Sequence, residues 1–343
     1  MKNKLSKIFI RWELLSVLAV FVIVLMISYL TFFTPNFYEG KEPIKFDVRK
    51  GESFTSITDR LYEIGIIPSI TNFKIAGFIY GAERKIRAAR YTIPNGLSYL
   101  DLLDLFVSGN CEYLRTLTIR PGQTIKWLAH RLQKYIYIDS TQFVKIANDK
   151  NFAESLGFNE KSFEGYLFAD DYEIYERSSP EEAIKLFFNS FKKFYNDSLI
   201  ARTKELGFTV NEIVTLASII KGETNNEDEM ATISGVYHNR LRIGMKLQAD
   251  PTIQYVLDGG WRRLTYEDLQ LNSPYNTYKY FGLPPGPINS PGKEAILAAL
   301  YPEKNNYLYF VADGTGGHRF GKNLSEHNRN VKEYRKYVRK NTD

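Results

Sequence analysis

The residues with the clearest chemical potential lie in the stretch "LASIIKGETNNEDE", residues 216 to 229, where an apolar segment ends in a glutamate and continues into a group of acids. Glu223 closes the apolar segment, and Glu227, Asp228 and Glu229 follow it. Partial burial and nearby negative charge both raise the pKa of a carboxyl group, and a general acid needs such a raised pKa. Glu223 is therefore the candidate catalytic residue.

The apolar spacing predicts a helix with Asn211 as its N-cap. Its apolar stripe consists of Ile213, Leu216, Ala217 and Ile220. At about 100° per residue, Glu223 falls about 65° from the centre of this stripe, whereas Lys221 falls about 95° away on the opposite flank. Glu223 is thus predicted to be half-buried. Gly222 would let a ligand approach closely, although a glycine near a helix end is also an ordinary terminator.

The acids after Glu223 also have a structural interpretation. Asn226 and Glu229 form a capping-box pattern at the start of a second helix. Negative charge is favoured in the first turn of a helix, where Glu227 and Asp228 would lie. The apolar positions of this helix are Met230, Ile233, Tyr237 and Leu241, and Gly244 ends it.

A membrane anchor is predicted near the start of the chain. Residues 14–33 form a 20-residue run without a charge, which is the length that spans the hydrocarbon of a bilayer. The run lacks the small-residue exit of a cleavable signal peptide, so we expect it to be retained. By the positive-inside rule, residues 1–13 lie in the cytoplasm and the C-terminal region lies outside the cytoplasmic (inner) membrane, in the periplasm or its equivalent. The basic residues behind this prediction are Lys2, Lys4, Lys7 and Arg11.

Charge and composition argue against nucleic acid and against a metal or other cofactor. The formal net charge is +6, but residues 1–13 carry +3 and residues 329–343 carry +4, which leaves −1 for the body between them. A nearly neutral body argues against nucleic acid as a partner, because nucleic-acid binding needs a basic face. The single cysteine, Cys111, and four histidines show no metal-ligand spacing, so we expect no metal and no other cofactor.

Two segments resemble each other, residues 46–67 and residues 117–138. Each reads as a strand, a glycine turn and an amphipathic helix, with Ser53 and Thr124 as the predicted N-caps. The first copy resembles a LysM-type module, which is a small glycan-binding unit. A glycan-binding role and a purely structural role are both consistent with this pattern. The residues that carry the resemblance are Val48, Gly51, Glu52, Ser53, Phe54 and Ile57.

A series of sequence motifs, in the same order along the chain, resembles those of the endolytic murein transglycosylases of the YceG-like (MltG) family, which are membrane-anchored bacterial cell-wall enzymes. The motifs are "EGYLFADDYEI" (164–174), "LASIIKGET" (216–224), "VYHNRLRIGMKLQADPTIQY" (236–255), "SPYNTYKYFGLPPGPINSPG" (273–292), "YLYFVADGTGGHRF" (307–320) and "EHN" (326–328). The catalytic glutamate of the family maps onto Glu223, which Thr224 follows. The chain departs from the family at Lys221, where many members carry Glu or Gln.

The resemblance implies a lytic transglycosylase that cleaves the MurNAc–GlcNAc β-1,4 bond of nascent glycan strands, forms 1,6-anhydro-MurNAc ends and so ends strand elongation. Such a reaction needs one carboxyl group, whereas glycoside hydrolysis normally needs two. Asp250 is the candidate for a second carboxylate, but "QADPT" reads first as a turn. The side chains expected to contact sugar are Gln248, Tyr275, Asn276, Tyr278, Asn289, His318 and Phe320.

The predicted fold class is α+β. The predicted parts are a cytoplasmic N-terminus (1–13), a single-pass transmembrane helix (14–33), a linker (34–43), a LysM-like α/β glycan-binding subdomain (44–112), a second strand-turn-helix unit with a connecting segment (113–176), and a mixed α+β catalytic domain (177–343). The last boundary precedes a long helix predicted from Pro180 to Gly207.

The expected partners are peptidoglycan strands and the membrane, together with peptidoglycan synthases and divisome or elongasome proteins. A linker of about 10 residues would keep the catalytic region close to the bilayer. The alternative function is a non-catalytic peptidoglycan-binding scaffold of the cell-wall synthesis machinery.

Overall fold

The computed structural model describes residues 2–40, 43–257 and 262–342, apart from the side chains of residues 2–11, 13, 341 and 342. The chain divides into two compact units, Met1–Leu114 and Arg115–Asp343. The basic side chains used to predict the orientation of the N-terminus, and residues 41 and 42 of the predicted linker, lie outside the described part. The predicted α+β class is confirmed, since both units combine helices with small sheets.

The first unit begins with a long helix, α1 (Lys2–Phe33), in which residues Leu14–Phe33 are long and apolar enough to cross a membrane. Three short strands form an antiparallel sheet in the order β1-β2-β3, and three helices accompany them. The elements after α1 are β1 (Ile44–Asp47), α2 (Phe54–Glu63), α3 (Ile70–Tyr80), β2 (Arg90–Ile93), α4 (Tyr99–Ser108) and β3 (Cys111–Glu112).

The segment that follows α1 is attached to the first unit along its described length. Asn36 pairs with Leu97 through a backbone hydrogen bond of 2.9 Å, and its side chain donates to the same carbonyl. The backbone N–H of Tyr38 donates to Asn95, and its buried hydroxyl donates to the carbonyl of Ile93. Residues 34–40, which belong to the predicted linker, are therefore held against the folded unit at Asn36 and Tyr38.

The second unit is larger and mostly helical. β4 and β5 form one two-stranded sheet, and β6 and β7 form another, which is antiparallel. A short 3-10 helix (Asp268–Gln270) lies between α12 and α13. The remaining elements, in chain order, are β4 (Leu114–Thr118), α5 (Ile125–Ile136), α6 (Ser140–Ala147), α7 (Lys150–Ser155), β5 (Asp171–Tyr175), α8 (Pro180–Phe194), α9 (Asp197–Glu205), α10 (Val210–Glu223), α11 (Glu227–Arg242), α12 (Asp250–Val256), α13 (Gly292–Leu300), β6 (Tyr309–Ala312), β7 (His318–Gly321) and α14 (Leu324–Thr342).

The two similar segments do form the same local structure. In each copy a hydroxyl caps the helix: Ser53 accepts from the backbone of Ser56 at the start of α2, and Thr124 accepts from that of Trp127 at the start of α5. The turn glycines have the expected positive φ, 77° at Gly51 and 91° at Gly122. The predicted strand-turn-helix is thus present twice, while glycan binding by the first copy stays a prediction.

Helix α10 lies at the centre of the second unit and packs against α9, α11, α12 and α13. All eight residues from Ile213 to Ile220 are buried. The sequence predicted a one-sided apolar stripe, but a helix that is covered on every side buries its whole circumference. Consequently, the C-terminal end of α10 emerges from the core and carries Glu223 with it.

Two predicted helix boundaries are wrong, and a local polar contact explains each. The long helix expected from Pro180 to Gly207 breaks into α8 and α9, because Asn196 accepts hydrogen bonds from the N–H groups of Ser198 and Leu199. The predicted cap Asn211 lies inside α10. Thr209 is the N-cap instead and forms a capping box with Glu212.

One core extends through the second unit. Its buried residues run from Leu117 to Leu300 and include Tyr172 and Ala183 on either side of the boundary predicted near residue 177. The aromatic side chains of "FEGYLF" (163–168) and of α8 pack against each other in this core, for example Tyr166 against Phe191.

A second buried carboxyl group, Glu164, fixes the start of α5. Its two oxygens accept from the backbone N–H of Ile125 at 3.1 and 3.2 Å, and it also bonds with the hydroxyl of Tyr255 and the N–H of Gly165. Burial raises the pKa of Glu164 to about 8, and these hydrogen bonds only partly oppose that shift. The first N–H groups of a helix lack partners within the helix, so Glu164 supplies an acceptor at a buried helix end.

We expect Glu164→Ala to lower the free energy of unfolding by about 2–4 kcal/mol, because it leaves buried donors unpaired and opens a cavity. The measurement is chemical unfolding near neutral pH. The matched control is Glu173→Ala, at an exposed position in β5, which should change stability by less than about 0.5 kcal/mol. Equal effects of the two substitutions would contradict the structural role of Glu164.

Candidate active site

The candidate site lies where α10 ends and α11 passes beside it. Glu223 is the last residue of α10, and Thr224 is its extended C-cap. The chain then turns through residues 225 and 226 and returns as α11, which brings Tyr237 next to Glu223. The Tyr237 hydroxyl donates a hydrogen bond of 2.6 Å to Oε1 of Glu223.

The surroundings of Glu223 favour its protonated form. The residue as a whole is half-buried, as predicted, and the protein packed around its carboxyl group raises the pKa to about 7 from the ordinary 4.5. The hydrogen bond from Tyr237 and the positive charge of Arg240 lower this pKa, while the negative charge of Asp250 raises it. Burial is the largest of these effects, so Glu223 holds a proton up to neutral pH.

Asp250 and Tyr278 form a second polar pair close to Glu223. Asp250 is exposed at the start of α12 and accepts a hydrogen bond from the Tyr278 hydroxyl. Burial raises the pKa of Tyr278, and the charges of Asp250 and Glu223 raise it further. Asp250 was predicted in a turn, but it begins a helix. Its carboxylate is near enough to act electrostatically on both Glu223 and Tyr278.

Arg240 adds a buried positive charge to the site. It lies one turn beyond Tyr237 on α11, and its Nε donates to the carbonyl of Leu308 at 2.7 Å, while another nitrogen donates to the carbonyl of Leu247. These bonds hold the guanidinium in place and connect α11 to two loops of the second unit. Because the cation is fixed and largely removed from water, its field at Glu223 is little screened.

Gly222 serves packing rather than the predicted approach of a ligand. A Cβ atom at this position would lie 2.5 Å from Cβ and 2.9 Å from Cγ of Pro251. Only a glycine lets the end of α10 pass so close to α12. The contact also brings Glu223 and Asp250 close to each other, because Glu223 directly follows Gly222 and Asp250 directly precedes Pro251.

The predicted capping box at the start of α11 is not formed. Asn226 caps the helix by accepting from the N–H of Asp228, but Glu229 points to another part of the chain. Its carboxylate accepts from the backbone N–H of His318 and pairs with the His318 ring at Nδ1, both at 2.9 Å. The pair holds β7 against α11.

The Glu229–His318 pair also helps to position Tyr237, through Phe310. The His318 ring packs edge-on against Phe310, and Phe310 packs edge-on against Tyr237, with ring centroids 5.4 and 5.9 Å apart. Phe320 packs against Phe310 as well. The predicted sugar-contact residues His318 and Phe320 thus lie behind Phe310, and it is Phe310 that contacts the tyrosine bound to Glu223.

The other predicted contact residues fall into two groups. Gln248 is exposed and has a positive φ of 48°, which is uncommon for a non-glycine residue and recurs at functional sites. Tyr278 is half-buried beside Asp250. These two have side-chain surface near Glu223 or its neighbours. Tyr275 is also half-buried, but its ring packs on Tyr255 with centroids 5.1 Å apart.

Asn276 and Asn289 are buried and engaged with the backbone. The Asn276 side chain donates to the carbonyls of Leu269 and Leu271 and accepts from the N–H of Tyr278. It has no exposed surface, so in this conformation it shapes the loop that carries Tyr278 and offers nothing to a substrate. Asn289 donates to the carbonyl of Ser218 on α10.

The profile of the YceG-like family matches residues 46–333. The chain belongs to the YceG-like family. It is 30% identical over 314 residues to the endolytic murein transglycosylase of Bacillus subtilis, and the match covers 86% of each protein.

Two further relatives agree with this assignment. The chain is 29% identical over 327 residues to the endolytic murein transglycosylase of Streptococcus pneumoniae, covering 86% of this chain and 59% of that longer protein. The crystal structure of a YceG-like protein from Listeria monocytogenes is 29% identical, with a TM-score of 0.60, and the match covers 84% of this chain and 99% of that one. The family predicted from the sequence motifs is confirmed.

Sequence reasoning missed the closest partner of Glu223 in this YceG-like protein. The apolar spacing of α11 presents Tyr237 only as an apolar position, and no local pattern distinguishes Arg240. A signal was available, because a tyrosine at a fully buried helical position needs a hydrogen-bond partner for its hydroxyl. Among the residues that the structure describes, no group of three or more His, Cys, Asp and Glu side chains could hold a metal ion.

The raised pKa of Glu223 predicts a pH-dependent change in stability. The folded state keeps a proton that the unfolded chain releases near pH 4.5, so the stability of the protein falls as the pH rises from about 4.5 to about 7, and the full cost is present above that window. Glu223→Gln removes the ionisation but keeps an acceptor for Tyr237. We expect it to stabilise the fold by about 3 kcal/mol at about pH 8 and by less than about 1 kcal/mol at about pH 5.

Chemical unfolding at both pH values checks this expectation. Glu227→Gln is the matched control, since Glu227 is an exposed acid in the first turn of α11. Its effect should be small and similar at the two pH values. If Glu223→Gln behaves like this control, the carboxyl group of Glu223 does not carry a raised pKa.

Proposed function

We propose that this protein is a membrane-anchored lytic transglycosylase that cleaves the β-1,4 bond between N-acetylmuramic acid and N-acetylglucosamine in peptidoglycan strands, with Glu223 as the acid and base. The observation that carries the proposal is the shielded carboxyl group of Glu223, with a pKa of about 7 and a 2.6 Å hydrogen bond from Tyr237. Family membership and relatives named endolytic murein transglycosylases support it.

In the first half of the reaction, the protonated Glu223 donates its proton to the oxygen that bridges the two sugars. The bond between this oxygen and C1 of the muramic acid breaks, and the N-acetylglucosamine leaves with a free hydroxyl. Positive charge develops at C1 and the ring oxygen as the bond breaks. A proton donor with a pKa near the working pH is efficient in such a step.

In the second half, the ionised Glu223 takes the proton from the C6 hydroxyl of the same muramic acid. The C6 oxygen attacks C1 and closes the 1,6-anhydro ring, so that Glu223 returns to its protonated state. The attacking group belongs to the substrate, and neither water nor a second carboxylate as nucleophile is needed. This accounts for a site in which one carboxyl group is shielded and protonated.

Asp250, Arg240 and Tyr237 have distinct electrostatic roles in this scheme. The negative charge of Asp250 raises the pKa of Glu223 and stabilises the positive charge that develops on the sugar. The Tyr237 hydroxyl and the Arg240 guanidinium favour the ionised Glu223, which is the state between the two halves. Together they keep Glu223 able to give and to recover a proton.

The scheme predicts the direction of the pH dependence. The first half requires a protonated Glu223, so activity should fall as the pH rises through about 7.

Contacts with the sugar are assigned to Gln248 and Tyr278, which have accessible side-chain surface near the site. His318 and Phe320, whose rings pack against Phe310 on the side of the β6–β7 hairpin that faces α11, are assigned a supporting part, as are Tyr275, Asn276 and Asn289.

The cellular setting follows from α1. We place the N-terminus in the cytoplasm and both units outside the cytoplasmic membrane, because Lys2, Lys4, Lys7 and Arg11 precede the span. A short attachment to the span favours nascent strands near the membrane as the substrate and makes peptidoglycan synthases the natural partners. Strand cleavage at this place would end elongation.

We expect purified wild-type protein to convert peptidoglycan strands into products with 1,6-anhydromuramic ends, and we expect Glu223→Gln to abolish them, because an amide can neither donate nor recover the proton. Mass spectrometry of the digest is the measurement. Glu227→Gln, which alters an exposed acid four residues further along, should retain the activity.

The same experiment distinguishes the alternative, a non-catalytic scaffold that binds peptidoglycan. Identical spectra for wild type and Glu223→Gln would favour the scaffold. Products with reducing ends that depend on Glu223 would instead show hydrolysis by water and contradict the intramolecular attack.

A further inference from the structure

The first unit carries an apolar stripe on the exposed face of α3. Helix α3 has apolar residues on two sides, and Phe73, Ala76 and Gly77 are buried against the unit. On the other side Ile75, Phe78 and Ile79 are 45%, 77% and 68% exposed. A helix with apolar residues on two opposite sides normally has both sides covered, so the exposed side of α3 indicates a surface that something else covers.

The position of α1 indicates what covers it. Helix α1 packs against α3 and α4, and on its last turns Ser28, Thr31 and Phe32 are partly buried, with Phe32 against the core of the first unit. The apolar span ends at Phe33, five residues beyond Ser28. At about 1.5 Å per residue, the first unit therefore reaches about 8 Å into the length of the span.

This depth matches the interfacial region of a bilayer. Helices that lie on membranes bury their apolar side about 5–10 Å into the boundary between headgroups and acyl chains. The described residues between the span and β1 are fixed to the unit by Asn36 and Tyr38, so the unit cannot move away on a flexible spacer. Phe37, which is 76% exposed, lies in this segment just beyond the span.

Charged residues at the end of α3 fit the same surface. Arg84 and Lys85 are exposed directly after the helix, together with the single acid Glu83. Basic side chains next to an apolar face are typical of helices that contact anionic lipid headgroups. The apolar stripe of α3, the depth of the first unit along the span and the basic residues after α3 therefore all indicate that the bilayer covers this surface.

We propose that the exposed stripe of α3, formed by Ile75, Phe78 and Ile79, lies in the outer surface of the bilayer that α1 crosses, with Arg84 and Lys85 at the headgroups and with Phe37, which directly follows the span, at the same membrane surface. The first unit is then seated on the lipid and held in one orientation, rather than suspended from the span. This inference goes beyond the proposed function and rests on α1 crossing the membrane, so its failure would leave the role of Glu223 untouched.

The test is electron paramagnetic resonance on the full chain in lipid nanodiscs. Cys111, the single cysteine, is replaced by serine, and a spin label is attached to Phe78→Cys. We expect this label to collide with dissolved oxygen much more often than with a water-soluble nickel chelate, as labels in lipid do. Ile75→Cys should show the same preference, because it lies on the same stripe.

The matched control is a label on Glu63→Cys, an exposed polar position at the end of α2 in the same unit. It should collide freely with the nickel chelate. If the label at position 78 behaves like the one at position 63, the stripe faces water and the proposal is wrong. If the label at position 78 is shielded from both oxygen and the chelate, a protein surface covers the stripe, which also overturns the proposal.

Discussion

The proximity of the Tyr237 hydroxyl to the carboxyl group of Glu223 is the contact on which the site depends. An ionised carboxylate in a shielded position costs free energy, and the hydrogen bond from Tyr237 offsets only part of that cost. The balance places the pKa of Glu223 near 7, where one residue can both donate and accept a proton. A fully exposed acid would be ionised at neutral pH, and a fully buried one without partners would not release its proton.

The fold produces this balance with few elements. Helix α10 is buried over most of its length, and its end delivers Glu223 from the core to the edge. Helix α11 returns beside it and supplies both Tyr237 and Arg240, while α12 brings Asp250. Gly222 permits the close contact with Pro251, and the Glu229–His318 pair holds the β6–β7 hairpin behind Tyr237. The surrounding packing therefore fixes the position of one carboxyl group, that of Glu223, to which we assign the proposed proton transfers.

The sequence predicted what depends on local patterns and missed what depends on distant contacts. The caps Ser53 and Thr124, the apolar span and the helix that ends at Glu223 follow from neighbouring residues, and the structure contains them. Tyr237 lies 14 residues from Glu223 and His318 lies 89 residues from Glu229, so no local pattern could pair them. Asn211 and Glu229 are of residue types that suit caps, but distant partners engage both side chains: Asn211 accepts from the Tyr166 hydroxyl and donates to the carbonyl of Pro285, and Glu229 pairs with His318.

The proposed reaction requires a protonated Glu223, and a carbon-13 NMR titration measures its protonation directly. The chain is labelled at the glutamate carboxyl carbons, and the spectrum of Glu223→Gln identifies the resonance of Glu223. We expect the resonance of Glu223 to titrate with a midpoint near 7, well above the ordinary 4.5. A midpoint near the ordinary value would contradict it, because the carboxyl group would then be ionised at neutral pH with no proton to give to a glycosidic oxygen.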